Sequence, residues 1–76
     1  MPKLVSISAK TLIKALKKIN FEIVSQKGSH IKLVRESKQE RKVLVIPNHK
    51  VLKKGTLTAI IKQAGISKTQ LQNLIK

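Results

Sequence analysis

Three β-prone segments follow one another in residues 21–46, and this run restricts the chain to a small set of folds. The segments cover residues 21–26, 30–35 and 41–46, with only short polar stretches between them. Antiparallel strands can be joined by such short turns, whereas parallel strands need crossovers of about a dozen residues or more. The sequence therefore predicts a three-stranded antiparallel sheet, with residues 27–29 and 36–40 as its turns.

Stretches with helical periodicity lie on both sides of the predicted strands. Apolar residues recur at three- and four-residue intervals in residues 9–19 and 57–64, which is typical of the buried stripe of a helix. Ser8 and Thr56 are the predicted N-caps, and Asn20 and Gly65 are expected in left-handed geometry at the helix ends. The capping-box spacing of Ser67 and Gln70 predicts a further short helix.

These elements predict one α+β domain over residues 1–76, in which helices cover one face of the sheet. Residues 1–7 are expected to be extended and to pack against the domain. Strand alternation places Ile31 and Leu33 toward the helices and His30 and Lys32 on the open face. In the first strand, alternation predicts that Phe21, Ile23 and Ser25 share one face, with Glu22, Val24 and Gln26 on the other. The apolar run in residues 43–46 favours a central position for the third strand.

The net charge of +14 points to a polyanionic partner. It results from 17 lysines and arginines against three acidic residues, and neutralising phosphates releases condensed counterions. Phe21 is the sole aromatic residue, which disfavours reading of single-stranded bases on aromatic platforms. We therefore expect RNA contact through phosphates and shape, although an acidic protein partner is compatible with the same charge.

The sequence gives little support to several other classes of protein and functional site. Cysteine is absent, so disulfides and thiolate metal sites are excluded. The two histidines and three glutamates do not have zinc-motif spacing, and neither a metal nor another cofactor is expected. Without any aspartate, a Ser-His-Asp triad cannot form. No apolar run suits a membrane span or a signal peptide, and we expect a cytoplasmic protein with no membrane contact.

Residues 57–75 leave a DNA-binding alternative open, because two helices joined by a short turn resemble a helix-turn-helix. The apolar side of the first helix is needed to cover the sheet, and the second helix offers only Lys68 and Lys76 as cations. A helix-turn-helix function is therefore the weaker interpretation.

The best-supported chemistry centres on His30, which follows Lys27, Gly28 and Ser29 at the start of the second strand. One histidine can act as general base toward a ribose 2′-hydroxyl or as general acid toward the leaving oxygen, while cations hold the phosphate. The predicted phosphate contacts, chosen by proximity in the hairpin and the following basic loop, are Lys27, Lys32, Arg35 and Lys50. Gly28 and Ser29 of the turn are predicted RNA contacts as well. The competing interpretation is an RNA-binding module without catalysis, in which His30 is an ordinary surface residue.

Three ordered motifs also carry a family resemblance. Residues 21–30 (FEIVSQKGSH), 46–49 (IPNH) and 54–66 (KGTLTAIIKQAGI) are together similar to the HicA (YcfA-like) toxins of type II toxin–antitoxin systems. The resemblance implies a fold like the double-stranded-RNA-binding domain, cleavage of messenger RNA and inhibition by a HicB-type antitoxin. It maps the catalytic histidine of the family onto His30, and His49 onto a Pro-x-His element that supports the loop or contacts RNA. We expect a monomer when free, and an oligomer only in complex with the antitoxin.

Overall fold

Three antiparallel strands form the centre of this computed structural model, which describes residues 7–75. The strands are β1 (Glu22–Lys27), β2 (His30–Glu36) and β3 (Arg41–Pro47), in the order β1-β2-β3. The strand predictions are confirmed to within one residue at each end, and the sheet is antiparallel as expected. The predicted central position of the third strand is wrong, because β2 lies between the other two. The extended segment expected for residues 1–7 falls, except for Ile7, outside the described residues.

Three helices accompany the sheet: α1 (Ala9–Lys17), α2 (Lys54–Ala64) and α3 (Lys68–Ile75). Ser8 is the N-cap of α1, as predicted, and its hydroxyl oxygen accepts a hydrogen bond from the Thr11 amide at 3.1 Å. The Ser67 hydroxyl likewise accepts from the Gln70 amide at 3.0 Å at the start of α3. Local side-chain capping of exposed amides thus fixes where both helices begin.

The predicted N-cap at Thr56 is wrong, because the N-cap of α2 is Lys53, three residues earlier. Lys53 makes no side-chain capping bond. Just before it, Leu52 is buried and its amide donates to the Ile7 carbonyl at 2.9 Å. We attribute the early start to this tertiary anchor, which holds the chain where α2 begins.

The core lies between the helices and one face of the sheet. Ile31, Leu33, Leu44 and Ile46 of the two longer strands are buried together with the apolar stripes of all three helices. α2 packs against β3, and α3 packs against α1. The opposite sheet face carries no helix, and Val43 and Val45 of β3 are exposed there. The protein is therefore an α+β domain with the helix, three strands and two helices in the predicted order.

The alternation predicted for β1 is broken by a β-bulge at Val24. The strand pairing shifts there, so that Ile23 lies opposite Leu33 and Ser25 lies opposite Lys32. A bulge adds one residue to a strand and reverses the face of every residue that follows. The prediction that Ser25 shares a face with Ile23, and Gln26 a face with Glu22, is therefore wrong. Gln26 pairs with Ile31 on the helix side of the sheet.

Asn20 ends the α1 segment in left-handed geometry, with φ of 74°. Its amide donates to the Lys17 carbonyl at 3.2 Å, and the next amide, of Phe21, donates to the Leu16 carbonyl at 3.2 Å. This pair of bonds is a Schellman motif, in which glycine or asparagine is favoured because other residues are strained. The left-handed geometry predicted for Asn20 is confirmed, and so is that of Gly65, with φ of 77° at the end of α2.

We expect Asn20→Ala to lower the free energy of unfolding by about 1 kcal/mol, because alanine lacks the short polar side chain with which asparagine tolerates left-handed geometry. Asn20→Gly should leave stability unchanged or raise it, because glycine adopts this conformation without strain. Urea titrations followed by circular dichroism would measure both variants. Equal stability of the two variants would contradict the assigned role of the left-handed turn.

Candidate functional site

His30 is exposed at the tip of the β1–β2 hairpin. Its pairing partner across the hairpin is Lys27, so the turn itself consists of Gly28 and Ser29. Gly28 has φ of 60°, whereas Ser29 is not among the described non-glycine residues with positive φ. Positive φ at the first central residue alone is the pattern of a type II′ turn, which favours Gly at that position. The turn geometry therefore explains the glycine in the predicted Lys-Gly-Ser turn, and it places His30 at the first position of β2.

Two lysines share the open sheet face with His30. Lys27 lies directly opposite it, where Cβ atoms of paired residues are about 4.5–5.5 Å apart. Lys32 follows two residues along β2, about 7 Å away on the same face. Both are exposed. His30 therefore has one lysine across the hairpin and another along its own strand, and the structure brings together these three predicted residues.

The loop that follows β3 is fastened to the same hairpin tip. The Asn48 amide donates to the Ser29 carbonyl at 2.6 Å, and Pro47 pairs with His30 across β2 and β3. The His49 carbonyl accepts from the Ala9 amide at 3.0 Å at the start of α1. The backbone of the loop therefore joins the hairpin tip to the first turn of α1. The exposed side chains of His49 and Lys50 lie on this loop, near the site but not in the sheet.

Arg35 does not belong to this cluster. It lies five residues from His30 along β2, about 17 Å away, on the helix side of the sheet. Its guanidinium carbon is 4.9 Å from the centroid of the Phe21 ring, and Nη1 donates to the Ile19 carbonyl at 3.4 Å. These contacts give Arg35 a structural role at the end of α1.

A groove between α1 and β1 brings together lysines that the sequence indicated only as a basic helix face. The groove encloses about 310 Å³, and the α1 side carries Lys10, Lys14 and Lys17. These residues are three and four positions apart, so they lie along one face of the helix. All three side chains are exposed, and none of their ammonium groups has a hydrogen bond or ion pair among residues 7–75. By contrast, Lys18 donates to the Leu74 carbonyl at 2.7 Å.

The rest of this α1–β1 groove is apolar along its floor and polar at one end. Three isoleucines contribute to the lining: Ile13, Ile23 and Ile31. Gln26 and Asn48 line it with them, and neither amide side chain has a hydrogen-bond partner in the described part of the chain. Because Gln26 precedes Lys27 and Asn48 is bonded to Ser29, the polar end adjoins the hairpin tip that carries His30.

Two further properties of the described residues concern metals and membranes. Within residues 7–75, no three histidine or acidic side chains come close enough together to hold a metal ion. None of the described helices is long and apolar enough to cross a membrane.

Fold and site together define a small, strongly basic α+β domain that presents a histidine between lysines at a hairpin tip. Residues 9–66 match the family model described as the HicA toxin of bacterial toxin–antitoxin systems. The chain therefore belongs to the HicA toxin family, as the resemblance implied, and its partner in such a system is an antitoxin. No curated protein matches the chain.

Proposed function

We propose that the protein is an endoribonuclease that cleaves messenger RNA with His30 as general acid or base. The observation that carries the proposal is the position of His30, exposed on the open sheet face between Lys27 and Lys32. Membership in a toxin family and the charge of +14 support the same function. A solvent-open site on a sheet face suits a polymeric substrate, which needs no deep pocket.

In the proposed reaction the ribose 2′-oxygen attacks the adjacent phosphorus, and the bond from phosphorus to the 5′-oxygen breaks. The products are a 2′,3′-cyclic phosphate and a 5′-hydroxyl. His30 either removes the 2′-hydroxyl proton or supplies a proton to the departing 5′-oxygen, and solvent water supplies or accepts the other proton. Lys27 and Lys32 stabilise the negative charge that develops on the phosphate oxygens. This step does not require a metal or another cofactor.

The remaining predicted contacts are assigned to RNA binding. Gly28 and Ser29 have small side chains, so they leave the backbone of the turn accessible to RNA. A Cβ at Gly28 would meet no atom within 4 Å, which shows that the space beside this backbone is open. His49 and Lys50 extend the basic surface from the hairpin tip toward α1. For Arg35 the structure offers the contact with Phe21 instead, and we leave it out of the proposed RNA site.

We further propose that the antitoxin is of the HicB type and inhibits the protein in the cytoplasm, and that the free toxin is a monomer. An inhibitor that covers the open sheet face would block His30 directly. Size-exclusion chromatography with light scattering tests the monomer: a mass near 8.5 kDa is expected for the free chain.

The reaction is tested by incubating purified protein with a defined RNA in EDTA. New RNA ends with 5′-hydroxyl groups are expected, and a single 2′-deoxy substitution at a mapped cleavage position should prevent cleavage there. Cleavage that persists at the deoxy position would exclude the 2′-oxygen as nucleophile. Cleavage that occurs only without EDTA would overturn metal independence.

Binding of RNA without cleavage is the second candidate function, and one observation favours it. Among residues 7–75, no side chain forms a hydrogen bond with the imidazole of His30, whereas catalytic histidines are commonly oriented by another group. This candidate predicts salt-dependent binding with no new RNA ends. A helix-turn-helix function is less compatible with the structure, because the first of the two helices, α2, packs against β3 and Leu71 of the second is buried in the core.

A further inference from the structure

We propose that the α1–β1 groove binds the single strand of RNA that leads to His30. The inference rests on the proposed function in taking RNA as the ligand. Lys10, Lys14 and Lys17 would contact successive phosphates along α1. The helix rise of about 1.5 Å per residue spreads these lysines over about 10 Å.

The groove differs from an ordinary solvated helix face in its lining. The isoleucine floor offers an apolar surface to ribose and base, beside the row of lysines. At the polar end, the side-chain amides of Gln26 and Asn48 have no partner among residues 7–75. They offer both donors and acceptors, which can form hydrogen bonds with the edges of unstacked bases. The groove would thus contact phosphates through lysines, sugars and bases through isoleucines, and base edges through the two side-chain amides.

The course of the groove also leads to the proposed reaction site. α1 and the strand beside it run in opposite directions, so Lys17 lies near Ile23 while Lys10 lies near Asn48. Asn48 is bonded to the hairpin turn through Ser29, and Gln26 is followed by Lys27, the partner of His30. A strand that enters at Lys17 therefore leaves the groove at the hairpin tip, and it passes around the turn at Gly28 and Ser29 to reach the imidazole on the open face.

The test compares two variants that remove the same charge from exposed lysines. The groove variant is K10Q/K14Q/K17Q, and the control is K38Q/K62Q/K68Q, whose lysines lie outside the groove. The ligand is a fluorescent single-stranded 2′-O-methyl RNA of twelve nucleotides, which cannot be cleaved through a 2′-hydroxyl. Dissociation constants are measured by fluorescence anisotropy from 0.05 to 0.4 M salt.

Each phosphate contact contributes about 0.7 to the slope of log affinity against log salt for single strands. Loss of three contacts should reduce the slope by about 2, and should weaken binding about a hundredfold at 0.1 M salt. The control should change the slope by less than one contact. Equal effects of the two variants, or no effect of the groove variant, would overturn the inference.

Two further arms separate the possible causes of failure. Cleavage of unmodified RNA by the wild type tests the proposed function alone: if it occurs while both variants bind equally, the function stands and the groove assignment falls. If the groove variant loses binding but the wild type does not cleave RNA, the groove assignment stands and the proposed function falls. Poly-glutamate serves as an acidic polypeptide probe, and a groove variant that loses this ligand but retains RNA would assign the groove to a protein partner.

Discussion

We expect His30→Ala to slow RNA cleavage by about 10²- to 10⁴-fold, which is the usual contribution of a general acid or base. The loss should appear in kcat, because the lysines that hold the phosphate remain. Affinity for uncleavable RNA should change little. In cells, expression of the variant should no longer arrest growth. Single-turnover cleavage of a labelled RNA by purified protein measures the effect directly.

The structure indicates that this substitution will not unfold the protein. The imidazole is exposed and has no hydrogen bond with any described residue, so its removal should change stability by no more than about 0.5 kcal/mol. Circular dichroism and thermal unfolding check this point. K62Q on α2, far from the hairpin tip, should cleave at the wild-type rate. Cleavage by His30→Ala within about twofold of wild type would refute the catalytic assignment.

His49→Ala provides an informative comparison within the same experiment. The His49 backbone holds the loop to α1 through its carbonyl, and this bond does not depend on the side chain. If the imidazole only contacts RNA, its removal should raise KM and leave kcat nearly unchanged. A kcat loss as large as that of His30→Ala would instead identify a second catalytic histidine.

The elements of this fold could be predicted because each is encoded by local patterns. The stripes of α1 and α2, the caps at Ser8 and Ser67, and the left-handed ends at Asn20 and Gly65 all depend on residues within a few positions of each other. The start of α2 was misplaced because its cause is not local. It depends on the burial of Leu52 and on a backbone bond to Ile7.

The candidate site was only partly predictable for the same reason. His30, Lys27 and Lys32 are neighbours through one hairpin, so strand alternation was enough to group them. The bulge at Val24 cannot be read from alternation, and it is the bulge that turns Gln26 toward the α1–β1 groove. β3 has the most apolar run of the three strands, yet it is an edge strand, and Val43 and Val45 stay exposed on the open face.

Arg35 shows how a tertiary contact can redefine a residue. By sequence it was one cation among many near the hairpin, and proximity along the chain suggested a phosphate contact. In the structure, its guanidinium lies over the Phe21 ring and donates a hydrogen bond to the Ile19 carbonyl. These contacts link β2 to the end of α1 beside the buried Phe21 ring.

We therefore expect Phe21→Ala to lower the free energy of unfolding by about 3–5 kcal/mol, because a buried phenylalanine leaves a cavity on truncation. Phe21 is 1% exposed and lies within the core cluster. For a domain of this size, each kcal/mol corresponds to about 4–8 °C in Tm, so Tm should fall by at least about 12 °C. Thermal unfolding followed by circular dichroism measures the change. Val45→Ala, on the exposed sheet face, is the control and should shift stability by no more than about 0.5 kcal/mol.

A double-mutant cycle then isolates the contact with Arg35. Phe21→Leu retains most of the buried volume and removes the aromatic ring, while Arg35→Ala removes the cation. If the guanidinium stabilises the fold through the ring, the two changes together should cost less than the sum of the single changes, by about 0.5–1 kcal/mol. Strict additivity would mean that Arg35 acts only through the Ile19 carbonyl. If Arg35→Ala instead loses RNA affinity while its stability is unchanged, Arg35 is an RNA contact, as the sequence predicted.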